Sequence, residues 1–157
     1  MITKFLFVPG QRFSDPVISD EFYLRLESVH PAAPMPGYVP SYSFSMRHKQ
    51  VRGALGEISF RIGSNDHLNL YAGHIGYGVR KPHRGNGYAA MSCRLLRPVI
   101  RAHGFAKVII TCDPDNFASS HSCRKAGAVY LEEVEVPPGT RAYREGMRRK
   151  ERWEFWA

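Results

Sequence analysis

No stretch of the 157 residues holds the roughly 20 consecutive apolar side chains that a membrane-crossing helix requires. Residues 1–10 carry too short an apolar run for a secretory leader, so the expected location is the cytoplasm, with no membrane partner. Cysteine is scarce: Cys93, Cys112 and Cys123 are odd in number and show no C-x-x-C spacing. That argues against a disulfide framework and a zinc site, and no metal is expected. Acidic side chains are in deficit, 14 against 22 lysines and arginines, and the net charge of +8 favours anionic partners. Charge by itself does not choose among nucleic acid, an acidic protein and a polyphosphate. Internal repeats and low-complexity tracts are absent as well. What is present is enough apolar material, 43% of residues, for one continuous core, and the length suits a single domain over residues 1–157.

Punctuation divides the chain into two stretches of different character. Residues 21–29 place Phe22, Leu24, Leu26 and Val29 between charged neighbours, the alternation of a half-buried strand. Residues 31–40 then hold four prolines, which deny a helix and favour an extended, solvated connection. Residues 42–46 and 54–62 alternate again across a charged turn near Lys49 and Gly53, which predicts an antiparallel pair. A polar turn over residues 63–66 leads to a third strand of this stretch, residues 73–79. From Gly87 the period changes: Met91, Leu95, Leu96, Val99 and Ile100 share one helical face, which stops at His103 and Gly104. Pro98 lies deep in that segment and predicts a bent helix, because it removes a hydrogen bond. Residues 107–112 form a β-branched run, expected to be a strand covered on both faces. Asp113, Pro114, Asp115 and Asn116 supply turn and N-cap chemistry for a helix ending at Gly127. Two further strands are expected near residues 129–136 and 152–156, with a break at Pro137, Pro138 and Gly139 between them.

The loop Arg84, Gly85, Asn86, Gly87, Tyr88, Ala89 lies between a strand and a helix, where unpaired N–H groups and the positive end of a helix dipole converge. Its two glycines let an anion approach the main chain without meeting a Cβ, and Arg84 adds a positive charge at the rim. An ordinary tight turn is the plain alternative. The same residues also satisfy G-x-G-x-x-A, a dinucleotide fingerprint, with Asp113 as a ribose partner. Against that reading, residues 80–84 separate the strand from the first glycine, and the first half looks antiparallel.

These residues match the R-x-x-G-x-G/A pyrophosphate loop of the GNAT superfamily of acyl-CoA-dependent N-acyltransferases, which the chain resembles. Gly73, His74, Ile75, Gly76, Tyr77, Gly78 and Val79 look like that family's fourth strand. The segment from Asp113 to Ser119, with Lys125, Ala126 and Gly127 after it, is similar to the N-x-x-S/A…K-x-G helix that follows the fifth. The match is close over residues 54–130 and weak elsewhere. The resemblance implies an α/β fold with a twisted mixed sheet, splayed between the fourth and fifth strands, flanked by helices, and binding acetyl-CoA as acyl donor. It would place the pantetheine arm along the main chain of Tyr77, Gly78 and Val79, and the pyrophosphate on residues 84–89. Asn116 and Ser119 would line the other side, although Asn116 suits a helix cap equally well.

Transfer to an amine needs a base, an oxyanion donor and an acid for the leaving thiolate. His74 stands where many members of the family have a glutamate, and Glu57 on the neighbouring strand is the second base candidate. The family commonly has a tyrosine acid where this chain has Cys123; a helix dipole and solvent can also assist the thiolate. Helices that wall the acceptor site in the family are replaced here by the proline-rich segment. That implies a more open site for a small-molecule or protein amine, completed by a second subunit in a homodimer. Arg141, Arg144, Arg148, Arg149, Lys150 and Arg152, interleaved with Tyr143, Trp153 and Phe155, offer a nucleic-acid surface, but an edge strand with a solvated face explains them as well. The expected activity is acetyl transfer from acetyl-CoA to a primary amine by direct attack. A non-catalytic acyl-CoA sensor and a basic nucleic-acid module are the alternatives.

Overall fold

The computed structural model describes residues 4–35 and 37–157, so Met1, Ile2, Thr3 and Pro36 of the proline-rich segment lie outside the described residues. Alternation in the first half builds five strands: β1 (Arg12–Asp15), β2 (Ser19–His30), β3 (Ser41–His48), β4 (Val51–Arg61) and β5 (Ile75–Val79). Each pairs antiparallel with the next. Four residues with no apolar repeat gave no sequence signal for β1, so the family's fourth strand is β5 here. Phe22, Leu24, Leu26, Tyr42, Phe44, Met46, Ile58 and Phe60 point to one face and are almost wholly buried. Residues of α1 (Tyr88–Leu95) and α2 (Arg97–Ala102) join the same core through Cys93, Leu95, Val99 and Ile100. Burying a side chain of this size contributes about 1.5–3 kcal/mol, so the alternation is enough to fix which face meets the helices.

The bent helix resolves into α1 and α2, with Leu96 as the joint. Pro98 consequently sits in the first turn of α2, where a missing N–H leaves nothing unpaired. The turn after β4 runs into a π-helical turn, His67–Ala72, which had no sequence signature. The second half adds β6 (Lys107–Cys112), α3 (Phe117–Ala126), β7 (Val129–Glu135), the single turn α4 (Arg141–Arg144) and β8 (Arg149–Trp156). Val108, Ile109, Ile110 and Cys112 are buried, as a strand covered on both faces requires.

The sheet order is β1-β2-β3-β4-β5-β6-β8-β7, so β8 is an interior strand and β7 is the edge. This corrects the edge assigned to the C-terminal segment. Trp153 and Phe155 are buried in the core rather than free to stack on bases. Arg149 pairs with Glu133, Lys150 with Asp113 at 2.7 Å and Arg152 with Glu132 at 2.6 Å, so these three cations of the tail are paired within the protein.

Where the sheet parts, β5 and β6 run parallel and register at a single pair, Ile75 with Ile110. The contact is tight just before it. A Cβ on Gly73 would stand 3.0 Å from the Thr111 nitrogen, and the His74 N–H donates to the Ile109 carbonyl at 2.7 Å. Beyond Ile75 the strands diverge, leaving the rest of β5 without a ladder partner on that side among the described residues.

Candidate active site

Two grooves meet at that divergence. One, of about 380 Å³ on the helix side, runs from Tyr77, Gly78 and Val79 past Asn116 and Ser119 to Arg84, Gly85, Gly87, Tyr88 and Ala89. The other, of about 550 Å³, lies on the uncovered face of the sheet, where Ser43, Ser45, Glu57, Ser59 and Arg61 stand beside Gly76, Tyr77 and Gly78. Tyr77 and Gly78 line both. Strand periodicity causes this arrangement: residues alternating with the buried Ile58 and Phe60 must face the opposite way.

The phosphate-sized end of the first groove is built from main chain. Gly87 takes φ +75° as the N-cap of α1, and Gly85 takes φ +86°. Such angles are open to glycine and cost other L-residues about 1–2 kcal/mol. The first amide of the turn with a protein acceptor is that of Met91, which donates to the Gly87 carbonyl at 3.0 Å. The amides of residues 85–90 donate to no protein group among the described residues. Six unpaired donors at the positive end of a helix favour an anion there. Arg84 folds back so that its Nε donates to the Val79 carbonyl at 3.0 Å, which leaves its terminal nitrogens at the rim. The Nζ of Lys125 lies 2.7 Å from where a Cβ on Gly87 would be, a second cation at the seat that spacing had assigned no role. Asn86 braces the loop through Nδ2, which donates to the His83 carbonyl at 3.0 Å.

Asn116 caps α3, its side-chain oxygen accepting from the Ser119 N–H at 3.1 Å, and it lines the groove as well. The two roles considered for it from sequence are compatible. Tyr77 reaches from β5 across the gap to α3: its hydroxyl donates to the Ser119 carbonyl at 3.1 Å, with Ser119 Oγ at 3.0 Å and Cys123 Sγ at 3.4 Å. Burial pushes its pKa well above the ordinary tyrosine value, so the hydroxyl keeps its proton at neutral pH.

Three candidate catalytic residues thus have different surroundings. Cys123 is fully buried behind Tyr77, and a hydrogen bond with Cys112, then burial, raise its pKa. It does not face the groove, so the position matched to a tyrosine acid holds a core thiol, and the neighbouring hydroxyl is that of Tyr77. His74 is 3% exposed and spent on structure: Nε2 donates to the Gly63 carbonyl at 2.8 Å and Nδ1 accepts the Ile109 N–H at 3.0 Å. Burial lowers its pKa and keeps the ring neutral, with no nitrogen left for a substrate proton. A strand histidine next to glycine gave no means of telling a base from such a brace. Glu57 is exposed, registers with Gly78, and has no ion pair or hydrogen bond among the described residues. Glu27 on the same face is engaged by Arg25 and Ser45, which together hold its carboxyl below the usual range.

Asp113, the ribose partner of a dinucleotide reading, pairs instead with Lys150, and the mixed sheet is not doubly wound.

No curated protein sequence matches the chain significantly. Among solved structures, the Salmonella typhimurium acetyltransferase that modifies the N-terminal serine of 50S ribosomal subunit protein L7/L12 superposes with a TM-score of 0.64 at 13% identity, covering 94% of this chain and 99% of that one. The ribosomal L7/L12 alpha-N-protein acetyltransferase RimL in complex with coenzyme A gives 0.55 at 16% identity, covering 74% and 62%. The microcin C7 self-immunity acetyltransferase MccE with acetyl-CoA and AMP gives 0.53 at 17%, covering 74% and 61%. This chain therefore spans a little over three fifths of the length of those two relatives. At such identities the likeness is one of fold. A family model for the acetyltransferase (GNAT) domain matches residues 13–129, well over half of the chain. The chain belongs to the GNAT acetyltransferase family.

Proposed function

We propose that the protein is an N-acetyltransferase that takes the acetyl group of acetyl-CoA and passes it by direct attack to a primary amine. The observation that carries this reading is the row of unpaired amides at residues 85–90, at the far end of a groove that opens into the gap beside Gly78. The donor supplies an activated thioester carbonyl. The loop amides, Arg84 and Lys125 hold the diphosphate, while the free edge of β5 aligns the arm as an added strand would.

Glu57, across the strand pair from Gly78, takes a proton from the acceptor ammonium, directly or through water, and frees the nitrogen lone pair. As the N–C bond forms and the C–S bond breaks, the Tyr77 hydroxyl, which keeps its proton, turns a hydrogen bond to the departing thiolate, and solvent supplies the proton of the thiol. Ser119 steers that hydroxyl, because its carbonyl and Oγ both lie within hydrogen-bond reach of it. Glu57 acts from the open face and Tyr77 from the helix face, so the base and the hydrogen-bond donor do not compete for one position. The fold neighbours that modify a ribosomal N-terminus support a protein amine as acceptor.

Calorimetry with acetyl-CoA, followed by thiol release over a panel of amines, tests the reading. Glu57→Gln and Tyr77→Phe are each expected to lower kcat by about 10²–10⁴-fold with donor affinity nearly unchanged. Binding without turnover on any amine would identify an acyl-CoA sensor instead.

A further inference from the structure

Beside the acceptor face lies a smaller cavity of about 260 Å³, lined by Arg61, Arg141, His67, Tyr38, Ser41 and Leu68. Arg61 divides it from the acceptor groove and lines both. Its Nη1 donates to the carbonyl of Gly73 at 3.0 Å, while Nη2 makes no hydrogen bond to the protein among the described residues. Nη2 lies over Gly76, 3.4 Å from where a Cβ would stand, beside Ser59 Oγ. No carboxylate comes within ion-pair distance of Arg61 among the described residues. Glu145, the acid nearest to this cluster, is committed to Arg141 at 2.7 Å and approaches His67 at 4.0 Å. Arg141 is itself held in place, with its guanidinium 3.7 Å above the Tyr38 ring. The cavity thus carries a surplus of fixed positive charge.

We propose that this cavity reads the acceptor, and that the acceptor is a polypeptide N-terminus with a carboxylate within its first two residues. The inference rests on the acetyltransferase reading and specifies its substrate class. Glu57 registers with Gly78, and Ser59, whose hydroxyl neighbours Arg61, registers with Gly76. Two strand residues separate these levels by about 7 Å. Two residues of an extended peptide span about the same distance, so its ammonium meets Glu57 while its carboxylate meets Arg61. At the Gly78 level the β5 main chain is open, since a Cβ there would meet nothing within 4 Å, while Gly76 lies under the Arg61 guanidinium and Ser59. Of the serines along this face, Ser45 is buried and donates to Glu27, while Ser59 stands beside Gly76 in the groove. Burial and the neighbouring Arg141 both work against the Arg61 charge, and an incoming carboxylate relieves that penalty. The net charge of +8 steers the same class of acceptor toward the site.

The test uses the full chain, acetyl-CoA and three peptides that share a free N-terminal serine and a neutral tail. The second residue is Asp, Asn or Lys. The acidic peptide is expected to exceed its amide isostere in kcat/KM by about tenfold or more at low salt, chiefly through KM. Arg61→Gln should reduce that ratio to near unity. If Arg61→Gln fails to fold, because it also holds the Gly73 carbonyl, Arg141→Gln decides in its place and should shrink the ratio about threefold or more. Equal rates on the acidic and neutral peptides, a preference for the basic one, or a ratio that survives in the folded variant would each overturn the proposal while leaving acetyl transfer intact. Absence of turnover on every amine despite bound acetyl-CoA would remove both readings.

Discussion

Two turns in this molecule do the same topological job and end differently. One joins β5 to α1 and the other joins β6 to α3, and the two strands they leave are the parallel neighbours of the sheet. After β6 the protein satisfies its own amides. Asn116 N–H donates to Asp113, Phe117 N–H to Asp115, and Ser119 N–H to the Asn116 side chain. After β5 the amides of residues 85–90 stay unpaired among the described residues: a left-handed glycine opens the helix and no side chain there accepts from them. The first arrangement is a finished helix start that contributes stability. The second leaves its donors unpaired by the protein and forgoes that stabilisation.

Closing the open turn should give the largest effect. Gly87→Val places a branched residue at φ +75° with its Cβ against the Lys125 ammonium. Calorimetry should show acetyl-CoA affinity falling about 100-fold or more, roughly 2.8 kcal/mol, and an unchanged titration would contradict the anion seat. Opening the closed turn sharpens the contrast from the other side. Asn116→Ala removes the cap of α3 and should cost about 1 kcal/mol in denaturant unfolding, with less effect on acetyl-CoA than Gly87→Val. A larger loss of donor affinity than of stability would assign Asn116 to the ligand before the helix.

A further effect concerns the vertex between the strands. His74 has its pKa lowered by folding, so the unfolded chain holds the proton more tightly. Stability is therefore complete above the ordinary histidine value of 6.5 and declines as pH falls below it, until the folded ring itself titrates. His67 and His103 shift in the same direction and add to the decline. His74→Ala should lower stability at pH 7.5 by about 1–3 kcal/mol, because the Ile109 N–H loses its acceptor, and should flatten the acid limb measured by urea unfolding between pH 7.5 and 5. An acid limb of unchanged slope would show that the ring is not held neutral by the fold.

Most of the strand and helix plan was legible, because a period of two and a period near four each point apolar groups to one side. Residues 107–112 show this well, as do Phe22, Leu24 and Leu26. β1 and the π-helical turn were not legible, since both are short and gain their order from neighbours already in place. Residues 84–89 could be read as an anion seat from two glycines between a strand and a helix. Lys125 could not be added to it, as its ammonium arrives from α3 through folding. His74, Cys123 and Tyr77 were the hardest to tell apart, because each role depends on what fills the space beside it.

The sequence alone determined which side of each strand would be buried and where the chain could offer bare amides, because those properties depend on neighbours within a few residues. Tertiary structure decided which groups are left unpaired once the chain has closed on itself. Glu57 and Arg61 are open to a ligand while His74 and Cys123 are not, and that difference comes from contacts between residues far apart in the chain.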